Sequence, residues 1–328
     1  DLHLSIRRQR QMCIRDRFIA DPLENFKIYK DTTYAIMQEI AKRGLKLYHA
    51  LADDLIAEDA HIYALTRPVM IQTGETWFSQ GKTEKRRLKD FSAVLMRTDP
   101  PFNTQYLFAT YLLTLAEKEG AKVFNSGAAL RKYNEKLAIL DFSEWIAPTL
   151  VTTNPDLILI FLGQYQDIIV KPLDGMGGRE IFRLHKADPN LGSILETVMH
   201  YGTRTIMAQK YIPDIKKGDK RILIIDGQVV PYTMARIAKK GETRANLAAG
   251  GTANIMPLTE KEYDLATELA PTLLTNGVFL AGLDMIGPYL TEINVTSPMG
   301  FQEISKGSDC KVAALFVDRL LGRLEGNS

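Results

Sequence analysis

The run Lys171-Pro172-Leu173-Asp174-Gly175-Met176-Gly177-Gly178 constrains this chain most, because apolar segments flank it at 168–170 and 181–184. Short apolar runs bounded by turn residues read as strands, so the glycines form a turn between two of them. Glycine tolerates positive φ and leaves backbone N–H groups bare. Such a turn can cradle phosphate oxygens. No Gly-Lys-Ser/Thr closes it, so it is not a Walker A loop. A strand follows where a dinucleotide fingerprint needs a helix. A plain hairpin turn is the competing account. Lys171 argues against that account, since a lysine ending a buried strand must meet an anion or reach solvent.

Around this turn, strand and helix patterns alternate from residue 18 onward, which predicts α/β organisation. Residues 31–43 read as a helix, with Asp31 able to cap it and Tyr34, Met37 and Ile40 at helical spacing. Residues 45–48 and 91–96 read as strands, 104–120 as a helix, and 122–124 as a short strand. The pattern is doubly wound up to about residue 125. Asn125-Ser126 then caps a helix that carries Asn134-Glu135-Lys136. Beyond it, hairpin-like strand pairs occur at 167–184, 219–236 and 279–295. Residues 239–252 are rich in Gly, Ala and Lys and read as a mobile loop.

Two further groups of residues carry chemistry. Glu292 and Asn294 lie two apart on one strand and so share a face. Asp284 lies on the preceding strand, among apolar neighbours. Together they make an all-oxygen set suited to Mg²⁺, with a solvated strand face as the alternative. The metal reading needs Asp284 opposite Glu292. A two-residue loop at Gly287-Pro288 would oppose Asp284 to Thr291, so a three-residue connection or a bulge is required. The second group is cationic: Lys220 and Arg221 beside Asp219, then Arg236, then Arg244 and Asn246. Arginines suit carboxylate and phosphate recognition, although each alone could be a surface charge.

The remaining composition narrows the function. The net charge of +2 comes from five arginines within residues 1–17. Without that segment 36 basic and 37 acidic residues remain, a net of −1. No nucleic-acid surface is expected. No apolar run approaches the roughly 20 residues of a membrane helix. Two distant cysteines, Cys13 and Cys310, fit a reducing compartment. Five scattered histidines show no zinc-like spacing. Residues 1–17 read as foreign sequence, because arginines stand where a buried strand should begin.

The strings KPLDGMGG (171–178), DKRILIIDG (219–227), ETRANLAAGG (242–251) and LTEINVTSP (290–298) resemble those of bacterial glutathione synthetases. MRTDPPF (96–102), NEKL (134–137) and GLDMIG (282–287) agree in order and spacing. The resemblance runs from about residue 18 to the C-terminus. It implies an N-terminal α/β domain over 18–125 and an ATP-grasp fold over 126–328, with subdomains at about 136–208 and 209–328. It further implies that Lys136 and Lys171 reach the phosphates of ATP, with Gly175, Gly177 and Gly178 covering them. Gln209, Lys210, Tyr211 and Ile212 would hold adenine by their backbone, and Asp219 would lie near the ribose. Asp284, Glu292 and Asn294 would carry Mg²⁺, or Mn²⁺ instead. Arg221, Arg236, Arg244 and Asn246 would hold substrate carboxylates or the transferring phosphate. Arg97 and Asp31-Thr32-Thr33 would face the peptide substrate.

The implied reaction joins γ-glutamylcysteine and glycine through an acyl phosphate, with loop 239–252 as a lid against water. The implied setting is cytoplasmic and the implied assembly a homotetramer. Rival readings are another ATP-grasp ligase, of D-Ala–D-Ala or glutamate-ligase type, and a non-catalytic nucleotide-binding protein of the same fold.

Overall fold

The computed structural model describes residues 15–73, 76–175, 177–237 and 252–326. The first sheet is built on β1 (Arg15–Ile19), β2 (Lys46–Ala50), β7 (Ala93–Met96) and β8 (Val123–Phe124), all parallel. Between β2 and β7 the chain makes an antiparallel extension: β3 (Leu55–Glu58), β4 (His61–Ile71), β5 (Phe78–Gln80) and β6 (Glu84–Arg87). The order is β3-β4-β2-β1-β7-β8, with β5 and β6 both paired to β4.

Alternation along these strands feeds two cores, as a sheet buried on both faces requires. Phe18, Leu47 and Leu95 pack with Ile36, Met37 and Ile40 of α1 (Thr32–Lys42). Ile19, Val94 and Met96 pack with Tyr106, Ala109 and Leu113 of α2 (Thr104–Lys118). The doubly wound expectation holds, with one difference at each end. The 3–6 extension is absent from the sequence reading. The central strand begins at Arg15, three residues before the expected Phe18: Arg15, Asp16 and Arg17 pair with Lys46, Leu47 and Tyr48. Ladder bonds come from backbone groups, which arginine supplies as well as valine. Residues 1–14 lie outside the described residues.

After α3 (Gly127–Lys132) come β9 (Thr149–Thr152), α4 (Pro155–Tyr165), β10 (Asp167–Pro172), β11 (Phe182–His185), α5 (Leu191–Val198) and β12 (Ile206–Lys210). Their sheet, β11-β10-β12-β9, is antiparallel throughout. Its Ile168, Val170, Leu184, Ile206 and Ala208 pack on Ile158 and Leu162 of α4 and on Leu195 and Val198 of α5. By the period of two, Ile169, Lys171 and Gln209 face the other way.

The third sheet runs β15 (Thr252–Pro257), β14 (Gln228–Ile237), β13 (Asp219–Ile225), β16 (Leu280–Ile286) and β17 (Tyr289–Asn294). One face buries Ile222, Ile224, Leu283, Met285 and Ile293 against Leu265, Leu269 and Leu273 of α6 (Glu260–Thr275). Each such side chain contributes about 1.5–3 kcal/mol. Lys220 shares that face and pairs with Glu262 of α6 at 2.5 Å. The far end of the opposite face, at Leu223 and Ile225, is covered by Phe301 of α7 (Phe301–Gly307) and Phe316 of α8 (Val312–Glu325). Among the described residues no helix is long and apolar enough to cross a membrane.

Two side chains lock the first and third sheets together. Ser126 caps α3 as expected, its hydroxyl accepting from Ala129 N, but the helix ends at Lys132, before Asn134-Glu135-Lys136. Asn125 instead reaches β16 and β17. Its amide donates to Leu280 O at 2.8 Å and Val295 O at 2.7 Å, and its oxygen accepts from Phe279 N and Leu280 N. Glu135 accepts from Val295 N, Thr296 N and the Thr296 hydroxyl. Burial raises its pKa, against the bonds from Thr296.

Candidate active site

The outward face of the second sheet and the polar face of the third meet across a cavity of about 640 Å³. From the second sheet come Ile169, Lys171, Arg183, Gln209 and the glycine turn. From the third come Asp219, Arg221, Arg236, Asp284, Glu292 and Asn294. Lys136 enters from the segment before β9. The structure thus gathers almost every expected phosphate, metal and cation residue on one cavity wall or the other.

The glycine turn joins β10 to β11. Gly177 and Gly178 have φ of 67° and 76°. That is the left-handed region, which costs a side chain but not glycine. Lys136 Nζ donates to Gly175 O at 2.6 Å, and Asn134 Nδ2 donates to Leu173 O at 3.2 Å. Lys171 Nζ donates to Thr291 O at 3.3 Å and lies 3.9 Å from Glu292, while Lys136 lies 3.7 Å from the same carboxylate. Both lysines are buried. Burial lowers the Lys171 pKa, with Glu292 opposing.

Register decides the third-sheet face. Arg221 pairs across the ladder with Asp284, and Asp284 with Glu292. The loop is the two-residue one, and a bulge between Asp284 and Met285 on the ladder with β17 restores the opposition. The Thr291 hydroxyl donates to Asp284 O at 3.1 Å within this bulge. Asp284, Glu292 and Asn294 therefore share a face.

That face is more heavily charged than the sequence suggested. Arg221 clasps the Asp284 carboxylate through Nε and through Nη2, the latter at 2.9 Å. Arg236 Nη2 reaches Asp284 at 2.8 Å and Asp219 at 2.5 Å. Burial alone would raise the Asp284 pKa; Arg221 and Arg236 hold it well below the usual carboxylate range. Burial pushes Asp219 up to about 7, with Arg236 opposing and Asp284 and Glu292 adding. Gly282 makes room for the clasp. A Cβ there would meet Arg221 Cδ at 2.8 Å and Pro298 Cβ at 3.0 Å.

The oxygen set suits a hard cation. Asn294 Nδ2 donates to Gly282 O and Asp284 Oδ2, both at 3.2 Å, which fixes the amide and keeps its oxygen as the acceptor. Asp284 Oδ2 already accepts three bonds and Oδ1 one, so Oδ1 has room for a further partner. Among the described residues the buried Asp219 Oδ1 has no hydrogen-bond partner. Among the described residues no three His, Cys, Asp or Glu side chains alone could hold a metal. A metal held here would need Asn294 and oxygens from a ligand beside the carboxylates, as Mg²⁺ sites commonly do.

The N–H of Lys210 bonds Pro148 O, and that of Tyr211 bonds Asp167 O. Gln209, Lys210, Tyr211 and Ile212 all line the cavity. Arg183, unnoticed in the sequence, stacks its guanidinium 3.6 Å from the Tyr211 ring centroid and forms a two-pronged pair with Asp167. Arg97 and Asp31-Thr32-Thr33 do not line the cavity. Asp31 caps α1 by accepting from Tyr34 N at 2.8 Å. Arg97 donates to the Thr33 hydroxyl and to Pro298 O, both at 3.2 Å, and Thr32 accepts from Phe301 N. They form a joint between α1 and the segment before α7, while the adjacent Lys30 and Asp99 reach the cavity. Arg244, Asn246 and the expected lid lie outside the described residues, apart from Thr252, which opens β15.

Comparison with known proteins agrees with this architecture. A family model of the prokaryotic glutathione synthetase N-terminal domain matches residues 14–131, and one of the prokaryotic glutathione synthetase ATP-grasp domain matches 135–309. Glutathione synthetase of Neisseria meningitidis serogroup A is 56% identical over 306 residues, covering 92% of this chain and 96% of that protein. The Escherichia coli O157:H7 glutathione synthetase is 44% identical over 308 residues, covering 94% and 98%. Among solved structures, a D-cycloserine synthetase superposes with a TM-score of 0.67 at 14% identity, covering 94% of this chain and 99% of its own. A Chryseobacterium gregarium RiPP-associated ATP-grasp ligase gives 0.62 at 17% identity, covering 94% and 97%. At such identities these two show the ATP-grasp fold alone. The two matched domains, the relatives' identity over nearly their whole length and the assembled cavity lead to one assignment: this chain belongs to the prokaryotic glutathione synthetase family.

Proposed function

We propose that this chain is an ATP-dependent ligase that joins γ-glutamylcysteine to glycine, making glutathione and releasing ADP and phosphate. The observation that carries the reading is the cavity itself. Two buried lysines and a glycine turn face an all-oxygen set, with two arginines beside it. A carboxylate is a poor electrophile, so its oxygen first attacks the γ-phosphorus of ATP. That gives an acyl phosphate and ADP. The glycine nitrogen then attacks the acyl carbon, phosphate leaves with the C–O bond electrons, and the nitrogen loses a proton.

The protein's part is positioning and charge compensation. Lys136 and Lys171 face the polyphosphate under the glycine turn, so charge on the transferring group meets preorganised donors. Arg221 and Arg236 sit where a substrate carboxylate or the departing phosphate can approach. Arg244 and Asn246 belong to the same reading through the family resemblance. Adenine is received at the segment 209–212 beside Ile169 and Ile181, and Asp219 is placed toward the ribose. Asp284, Glu292 and Asn294 would hold Mg²⁺, or Mn²⁺ in its place. Such an ion neutralises phosphate oxygens. The peptide's side of the cavity is formed by Lys30, Asp99 and Ser297, with Arg97 and the 31–33 segment supporting it from behind.

The division into an N-terminal domain to about residue 125 and a two-part ATP-grasp region is part of the proposal. So are a cytoplasmic setting and a homotetramer, which light scattering would test. For the metal set, Asn294→Ala should raise the Mg²⁺ concentration needed for half-maximal rate at least about tenfold, the lower end of what even indirect ligands cost. An unchanged Mg²⁺ requirement would remove Asn294 from the set. For the reaction, phosphate release should stop when γ-glutamylcysteine is omitted. Steady release from ATP alone would contradict the ligase reading.

A further inference from the structure

The glycine turn is fastened from outside the cavity by one side chain. Arg204, in the turn after α5, donates from Nη2 to Asp174 Oδ1 at 2.7 Å and from Nη1 to Glu180 Oε2 at 2.6 Å. Asp174 immediately precedes Gly175, and Glu180 follows Gly178 by two. The two carboxylates are thus the shoulders of the turn. Their side chains are 61% and 42% exposed, whereas Arg204 is 19% exposed. Exposed carboxylates gain little from an ordinary surface pair. A mostly covered guanidinium that grips both with its fixed fork is different, because it fixes their separation.

Backbone conformation shows that the turn needs holding. Glu180 has a φ of 56°, a left-handed conformation that a non-glycine residue keeps only when its surroundings impose it. The Arg204 bond acts on that residue's own carboxylate. On the inner side, Asn134 and Lys136 hold Leu173 O and Gly175 O. None of Asp174, Glu180 and Arg204 lines the cavity, whereas Gly175, Gly177 and Gly178 do. Any influence of Arg204 on a ligand therefore passes through the turn.

We propose that Arg204 is a positioning residue: by bridging Asp174 and Glu180 it holds the glycine turn in its phosphate-receiving shape before nucleotide arrives. A ligand that meets a shaped loop does not pay to order it. The proposal rests on the reading of this turn as a phosphate cradle, and the experiment separates the two.

The probe is ADP, titrated calorimetrically into the full chain with Mg²⁺. Arg204→Ala should weaken ADP binding roughly three- to tenfold, the scale of losing two exposed ion pairs together. The KM for γ-glutamylcysteine should stay within about twofold, since that substrate does not meet the turn. Arg204→Lys should fall between, because an ammonium lacks the fork. The Asp174→Asn/Glu180→Gln variant keeps Arg204 and should weaken ADP binding equally. Adding Arg204→Ala to it should weaken binding no further, as expected for residues acting as one unit. If Arg204→Ala does not fold, that carboxylate variant carries the test alone. Wild-type affinity in Arg204→Ala, or a loss that the carboxylate variant does not reproduce, would overturn the proposal. A wild-type protein that binds no ADP would overturn the phosphate-cradle reading and the proposal with it.

Discussion

Lys171→Met is expected to lose at least about a hundredfold in turnover, the scale of removing one preorganised charge-stabilising donor. It should unfold at the same denaturant concentration as the parent, or a higher one. Lys171 is buried, and methionine keeps the bulk of its stem. The ammonium contributes differently. Burial lowers its pKa in the folded state. A base with a depressed folded pKa carries a stability penalty at every pH below its unfolded value, about 10.4. At neutral pH its removal therefore relieves a cost, offset in part because Glu292 keeps only Lys136 nearby. Steady-state kinetics and urea unfolding read the two effects separately. A variant with near-normal rate would show that Lys171 is a strand-end charge with no part in the reaction.

Asp284→Asn is expected to behave in the opposite way, because its charge holds two arginines as well as the proposed metal. The carboxylate is buried and accepts from both Arg221 and Arg236. Neutralising it leaves the buried Arg236 with Asp219 and takes from the buried Arg221 the carboxylate it clasps. Breaking a buried pair by removing one partner costs about 3–5 kcal/mol. The urea midpoint should fall accordingly with an unchanged slope, alongside the loss of activity. Glu292 is the control. Its side chain is 22% exposed and its lysine partners stand off at 3.7 and 3.9 Å. Glu292→Gln should lose activity with a stability change under about 1 kcal/mol. Equal stability of Asp284→Asn and the parent would mean the arginines do not need this carboxylate.

The difference between these two acids was not visible in the sequence. Their shared face followed from the metal reading, which required either a three-residue connection or a bulge, and the bulge is there. What could not be read was the neighbour on the other side. Arg221 meets Asp284 because β13 pairs with β16, and those strands are separated by about sixty residues and two intervening strands. Gly282 offered a faint clue, since a glycine inside a strand often marks a close approach. The same limit applies to Arg97. Asp31 could be read as a cap from its position alone, but only tertiary contact brings Pro298 to the guanidinium.

The core strands at 45–48, 91–96 and 167–172 were legible because apolar residues crowd there. The 3–6 extension was not, because its strands are short or half exposed, and charged residues fill 84–87. The start of β1 was hidden by arginines, whose backbone pairs as any other would. Arg204 gave no signal at all. Its partners lie 24 and 30 residues away, and only the fold of the glycine turn aligns them.

The central claim is that this cavity activates a peptide carboxylate with ATP and passes it to glycine. The most direct measurement incubates the full chain with Mg²⁺, ATP, γ-glutamylcysteine and glycine, then identifies the thiol product by mass spectrometry and counts ADP. The account predicts glutathione, with one ADP formed for each tripeptide. Joining of D-alanine to D-alanine with no tripeptide formed, or ADP appearing without any peptide product, would contradict it.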